Sequence, residues 1–310
     1  MEDEILIIGS LNMDAVIRMN ELPKKGETVL GQSLTYVPGG KGANQACASG
    51  KLGGKTTMLG CVGGDMFGIQ QLENLKKNNI DISYMQKMDE KPTGTAVIYV
   101  DHEGNNNIVV VPGANATCDK QYLKKHDFLF QSHKFFVFQM EIPYDAIFYG
   151  IARAKELGKI TILNPAPAPD TIPDKVLEKI DYLTPNETEL IKLSGMPSVS
   201  EENIRKGARF LLSKGVKNVL VTLGHKGVML VNDNVEKIYP ARKVKAVDTT
   251  AAGDCFNGAL VTALAEGKEL EEAVIFANLA SSVAVTRKGA QSSIPNRSEV
   301  DALIYKASAN

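Results

Sequence analysis

Short apolar runs alternate with longer amphipathic stretches along most of this chain. The runs at residues 5–8, 56–62, 134–140, 160–163, 182–184 and 218–222 have strand length and draw heavily on Ile, Val, Leu, Thr and Phe. Between and after them, helical spacing predicts helices at 43–52, 67–78, 120–126, 144–157, 187–193 and 200–214. Three more helices close the chain, at 255–266, 270–287 and 298–306. Strands separated by helices predict βαβ units, hence an α/β architecture with a mostly parallel sheet flanked by helices.

Two segments break this rhythm. Residues 14–37 carry Pro23 and two glycines, Gly26 and Gly31, but no helical period. Residues 95–111 read as a hairpin, with strands at 95–100 and 107–111 around the turn Asp101-His102-Glu103-Gly104. Neither is long enough to be a domain. Together they predict a small β-sheet projecting from one domain of residues 1–310, a lid made of about 12–38 and 93–112. Its Val109-Val110-Val111 run needs cover, and a second subunit would provide it.

Composition narrows the field. The chain has 310 residues, 44% of them hydrophobic, ample for a large core. It has 35 basic and 36 acidic residues, without a basic tract, so no nucleic-acid partner is expected. The start, Met1-Glu2-Asp3-Glu4, lacks the basic and long apolar regions of a signal peptide, and no run reaches membrane-helix length. A cytoplasmic protein with no membrane partner is expected. The four cysteines are irregularly spaced and read as small buried hydrophobes, and the four histidines form no metal or triad pattern.

The densest chemistry lies at Val247-Asp248-Thr249-Thr250-Ala251-Ala252-Gly253-Asp254, ahead of the apolar helix that starts at Cys255. Thr249 or Thr250 can cap that helix. The small residues Ala251, Ala252 and Gly253 leave first-turn N–H groups open to an anion. Asp254 places a carboxylate beside them. An anion site next to a base suits transfer of an anionic group to a hydroxyl, although a capped helix with an acid in its first turn has the same spacing.

Other polar groups gather where strands end. Pro38-Gly39-Gly40-Lys41-Gly42-Ala43-Asn44 opens a helix of small residues that lets backbone approach a ligand. It has neither dinucleotide-fingerprint nor P-loop spacing, and Gly50–Thr56 misses the P-loop by one residue. Asn12 and Asp14 follow the first strand and share a face in extended backbone, able to grip a polyol or to make a turn. Glu141 and Asn164 end further strands. Asn186 and Glu189 have capping-box spacing, and Gly224-His225-Lys226-Gly227 is a tight turn between two strands. In an open parallel sheet, ligands bind at this carboxyl edge.

On the Gly39–Asn44 and Asp248–Asp254 segments, joined by Thr286-Arg287-Lys288-Gly289-Ala290-Gln291-Ser292-Ser293, the whole chain resembles the PfkB-type carbohydrate kinases. The resemblance implies a doubly wound α/β fold with a β lid that pairs two subunits into a homodimer. It implies transfer from ATP to D-ribose at O5, with deoxyribose, fructose or a nucleoside as other acceptors, and a catalytically silent sugar or nucleotide sensor as the rival class. It implies Asp254 as base and the N–H groups of Ala251, Ala252 and Gly253 as anion hole. Asn12, Asp14, Gly40, Lys41, Gly42, Ala43, Asn44 and Glu141, with Asp254, correspond to the sugar site. Asn186 and Glu189 correspond to the phosphate and Mg²⁺ element. Thr222, Gly224, Gly227, Gly253 and Asn278 fall where the nucleotide lies. Asp248, Thr250, Ala284, Arg287, Gly289 and Ser293 fall where K⁺ is held, largely by main-chain carbonyls. Cys255 departs from the common threonine. It has no histidine partner, so a nucleophilic role is not expected.

Overall fold

The computed structural model describes residues 4–308. Among them the strands are β1 (Ile5–Ile8), β2 (Asn12–Met19), β3 (Gly31–Gly39), β4 (Thr56–Leu59), β5 (Cys61–Gly63), β6 (Gln86–Met88), β7 (Gly94–Val100) and β8 (Asn106–Val111). The rest are β9 (Phe135–Gln139), β10 (Ile160–Asn164), β11 (Tyr182–Leu183), β12 (Asn218–Thr222), β13 (Val228–Val231) and β14 (Glu236–Tyr239). The main sheet has eight strands in the order β14-β13-β12-β11-β10-β9-β1-β4. All pairings from β4 to β12 are parallel, and β13 and β14 close one edge antiparallel. From β1, one strand in from the edge, the chain steps to β4 at the edge, then returns past β1 and winds outward the other way. That reversal makes the fold doubly wound.

Alternation along the strands feeds two cores. Ile5, Ile7, Phe135, Val137 and Ile162 face one, with the Lys41–Lys51, Ala252–Ala265 and Leu270–Ala284 helices. Leu6, Ile8, Phe136, Phe138 and Leu163 face the other, with the Tyr144–Glu156 and Glu201–Ser213 helices. All four residues of β1 are 0% exposed, as a strand covered on both faces requires.

The two irregular segments form a second sheet, β3-β2-β7-β8. β2 pairs antiparallel with β3 and parallel with β7, and β8 completes the hairpin. β8 is exposed along its whole length. The 56–62 run divides at Gly60, because the chain there leaves β1 and pairs Cys61–Gly63 with β6. A Cβ on Gly60 would lie 2.7 Å from the carbonyl oxygen of Gly9. The helix expected at 255–266 begins earlier, at Ala252, and the one expected at 270–287 stops at Ala284.

Candidate active site

The parallel strands end along one edge, and the chemistry collects there. After β1 the chain passes Gly9 and Ser10 and enters β2 at Asn12, which pairs with Gly39 and Gly94. Asn115 locks this corner: it exchanges bonds with the backbone of Leu11 (2.9 and 3.0 Å) and donates to Asn12 Oδ1 (2.8 Å). Asp14 lies two residues on and is buried against Gly39, where an added Cβ would meet its carboxylate at 2.2 Å. Gly40 has φ 88°, and a Cβ there would lie 2.5 Å from the backbone nitrogen of Asn12. Only glycine satisfies both conditions. Gly42 packs on Gly9, with a Cβ position 2.7 Å from backbone. These contacts seat the start of the Lys41–Lys51 helix on the end of β1. Glu141, two residues past β9, fastens it by accepting from the Ser10 hydroxyl (2.5 Å) and the Lys41 N–H (3.1 Å).

Four carboxylates surround one ammonium here. Burial, then Glu141 and Asp254, push Asp14 up to about 7, against the pull of Lys41. Burial alone would lower Lys41, but Asp254, Glu141, Glu189 and Asp14 together hold it above its ordinary value. Burial raises Glu189, against the Asn186 N–H and Lys41.

Asp254 sits in the first turn of the Ala252–Ala265 helix, 6% exposed. Its Oδ2 accepts from Asn44 Nδ2 (2.9 Å) and its Oδ1 from Gln45 Nε2 (3.0 Å). The two helices approach closely because Gly258 has no side chain; a Cβ there would lie 2.5 Å from the carbonyl oxygen of Gln45. The expected threonine cap does not form. The N-cap is Ala251, left-handed at φ 58° and without a side-chain cap. Asp248 explains the difference: its carboxylate accepts from the Thr250 N–H (2.9 Å) and turns the loop before the helix begins. The Ala252 N–H goes to the Thr249 carbonyl (3.2 Å). Those of Ala251, Gly253 and Asp254 meet no acceptor among the described residues. Cys255 is fully buried, and burial pushes its thiol up to about 12, too high for a thiolate nucleophile.

Beyond Gly253 opens a cavity of about 760 Å³. Asn186, Thr222, Gly224, Gly227, Gly253 and Asn278 all line it. Gly227 is fixed by its φ of 105° and by the Tyr239 carbonyl oxygen, 2.0 Å from where a Cβ would stand. Asn278 holds the following loop through the carbonyls of Tyr239 (3.1 Å) and Pro240 (2.9 Å). Glu189 is not on the wall; it bonds the Asn186 N–H (2.9 Å) in a capping box. Arg242 and Lys243 also line the cavity, from a loop in which no sequence period singled them out.

Asp248 joins two loops. One oxygen takes the Thr250 N–H and the other the Gly289 N–H, both at 2.9 Å. Burial would raise it, but the Thr250 and Gly289 bonds and the charge of Arg18 hold it below the usual carboxylate range. Val247 and Asp248 both donate to the Val285 carbonyl (2.8 and 3.2 Å), and Arg287 donates its N–H to Ala284 (3.1 Å). The Arg287 side chain pairs with Glu299. Ser293, on the next turn, is buried, and its hydroxyl donates to the Ala290 carbonyl (2.8 Å). Among the described residues no three His, Cys, Asp or Glu side chains are arranged for a metal. An ionised carboxylate beside main-chain carbonyls is the donor chemistry of a hard cation instead.

Sequence reasoning passed over Ser10, Gln45, Asn115 and Gln71. Gln71 donates from its buried amide to the carbonyls of Asn12 and Gly39, tying both ends of the β2–β3 hairpin to the Met66–Lys77 helix. The available signal was polarity in apolar surroundings, clearest for Gln45 among small helical residues.

A family model, pfkB family carbohydrate kinase, matches residues 2–297. The ribokinase of Haemophilus influenzae is 38% identical over 299 residues, covering 96% of this chain and 97% of that protein. The deoxyribokinase of Salmonella typhi is 36% identical over 293 residues, covering 94% and 96%. Arabidopsis thaliana ribokinase complexed with ribose and ATP superposes with a TM-score of 0.91 at 34% identity, covering 98% of this chain and 99% of that one.

Proposed function

This chain belongs to the pfkB family of carbohydrate kinases, and we propose that it phosphorylates D-ribose at O5 with ATP, releasing ADP and ribose 5-phosphate. The observation that carries the reading is the position of Asp254. It is bonded on one side to Asn44, beside the Asp14 and Glu141 carboxylates, and is followed back along the chain by Gly253 in the cavity wall.

ATP occupies the cavity, with its terminal phosphate toward the turn at Ala251, Ala252 and Gly253. The sugar lies among Asn12, Asp14, Gly40 to Asn44 and Glu141, with O5 next to Asp254. O5 attacks the γ-phosphorus, the bond from that phosphorus to the bridging oxygen breaks, and the O5 proton passes to the Asp254 carboxylate. Such transfer is mainly positioning and charge stabilisation. A placed base contributes roughly 10²- to 10⁴-fold, and one anion-hole donor about 2.7–4 kcal/mol. Mg²⁺, bound with ATP, supplies charge neutralisation. Asn186 and Glu189 would hold it. Asp248 and the carbonyls near Thr250, Ala284, Arg287, Gly289 and Ser293 would be the donors for K⁺, which would stiffen the loop leading into the anion hole.

The β3-β2-β7-β8 sheet acts as a lid that keeps water from competing with the sugar. Leu34, Tyr36, Ile108 and Val110 are about half exposed on it, at 51, 52, 54 and 46%. A second subunit covers them in a homodimer. Four unpaired cysteines fit the reducing cytoplasm, and no helix among the described residues is long and apolar enough to cross a membrane.

One observation favours a second acceptor: the 36% identity to a deoxyribokinase. ADP release with Mg-ATP and ribose, deoxyribose, fructose or adenosine, with and without potassium, tests both. Ribose-dependent release raised by potassium is expected. Release with deoxyribose alone moves the specificity, and silence with every acceptor overturns the kinase reading.

A further inference from the structure

Behind Asp254 runs a continuous row of buried polar side chains that none of the roles above uses. Gln139, the last residue of β9, donates to Gln45 Oε1 (2.8 Å). Gln45 Nε2 donates to Asp254 Oδ1 (3.0 Å) and to Asn164 Oδ1 (3.1 Å). Asn164, the last residue of β10, donates to the Thr184 carbonyl (3.0 Å). The Thr184 hydroxyl donates to Asn257 Oδ1 (2.6 Å), and Asn257 Nδ2 donates to the Gly253 carbonyl (2.9 Å). None of these side chains is more than 6% exposed. The row touches the Asp254 carboxylate at one point and the Gly253 peptide at the other.

Buried amides are costly unless bonded, and a bonded row is rigid; each amide nitrogen in this row has an acceptor, and Gln139 Oε1 is the one amide oxygen in it without a partner among the described residues. The direction of each bond matters here. Gln139 donates to the oxygen of the Gln45 amide, so the nitrogen end must face Asp254. An added Cβ on Gly9 would lie 1.9 Å from Gln139 Oε1, so the backbone is cleared to admit that side chain. With Asn44 on Oδ2 and Gln45 on Oδ1, the carboxylate cannot turn about its Cβ–Cγ bond without breaking a bond on either side.

We infer that Gln45 is a positioning residue: aimed by Gln139, it fixes the plane of the Asp254 carboxylate so that a lone pair meets the acceptor hydroxyl. The inference rests on the reading of Asp254 as base. The charged groups facing Asp254 are Asp14 from β2, Lys41 at its helix start and Glu189 from the Glu187–Ser194 helix.

The test measures kcat and KM for Gln45→Met and Gln45→Glu in the full chain, from pH 5.5 to 8.5, with melting curves and Asp254→Asn alongside. Met fills the space without a donor. Its kcat should fall on the order of 10²-fold, the scale of a small misplacement, with the KM for ATP unmoved. Gln45→Glu sets one carboxylate against another. As pH falls it takes a proton and becomes an O–H donor to Asp254, so its turnover relative to wild type should rise. The other charged groups titrate in both proteins, so that ratio isolates position 45. Loss of kcat in step with melting temperature and indifferent to pH overturns the inference, as does wild-type turnover in both variants. If the Met variant does not fold, the Glu ratio alone decides. An active Asp254→Asn removes the base reading and this inference with it. An inactive Asp254→Asn beside fully active Gln45 variants removes the inference only.

Discussion

The sides of the site that meet at Asp254 are built by opposite means. On the side proposed for the sugar, Asp14 and Asp254 are buried, Lys41, Glu141 and Glu189 are half-buried, and the glycines between them have no room for a methyl group. On the side proposed for the nucleotide lies an open cavity of about 760 Å³, whose wall mixes small and polar residues with valines, Phe256 and the charged Glu187, Arg242 and Lys243. The first side is a set of charges held against their own desolvation and repulsion. The second is a roomy cavity with a free N–H at Gly253 and two cations, Arg242 and Lys243, in its wall. A small polyol offers only hydroxyl groups, so it must be met by strong acceptors placed in advance. A nucleotide brings its own charge and needs mainly room and N–H groups.

Removing the group shared by both sides should have the largest effect. Asp254→Asn should lose about 10²- to 10⁴-fold in kcat and still bind ATP, as titration calorimetry would show; near-normal turnover would sink the assignment. Next is Asp14→Asn. Losing a charged acceptor costs about 1.5–3 kcal/mol, so KM for the sugar should rise roughly ten- to a hundredfold while KM for ATP holds. In wild type the same KM should climb as pH drops below about 7, where Asp14 takes up a proton. Stability runs the other way. Asp14 titrates far above its ordinary 3.8 when folded, so the native state binds its proton first, and the protein loses stability as pH rises from about 4 through about 7. The sugar-free Asn variant should therefore melt above wild type at pH 8 and lose most of that advantage by pH 5. A lower melting point at pH 8 would mean that the fold does not hold Asp14 above its ordinary value.

Two glycine replacements sharpen the contrast. Gly40→Ala forces a side chain into φ 88° and onto the Asn12 nitrogen. It should cost about 1–3 kcal/mol of stability and weaken sugar binding. Gly253→Ala meets nothing within 4 Å. Its unfolding free energy should stay within about 0.5 kcal/mol of wild type, with any change confined to KM for ATP. Equal destabilisation of the two would erase the distinction between a packed side and an open one.

The frame was legible because its core strands are mostly apolar and its helices keep their period, as β1, residues 135–138 of β9 and the Tyr144–Glu156 helix show. β2 was harder. Asn12, Asp14 and Arg18 interrupt its apolar pattern, because it leaves the sheet core to line the site. The helix start at Ala252 was misread locally: Thr249 and Thr250 are ordinary caps by type, but Asp248 turns the loop first, with its second oxygen on Gly289, 41 residues away. Gln45 and Gln139 were passed over since their partners lie 209 and 94 residues off. Residue type announced Asp254, while its supporting contacts exist only in the folded chain.

Asn44 and Asp254 stand 210 residues apart and share one hydrogen bond. During synthesis the chain emerges from its amino end, and the small sheet and the first strands of the main sheet are available early. A nascent chain that has reached residue 240 already holds Asp14, Lys41, Glu141 and Glu189, yet it has neither the proposed base nor the turn proposed to receive phosphate. On that proposal it cannot spend ATP at this length, and activity would switch on only when the Ala252–Ala265 helix docks against the Lys41–Lys51 helix.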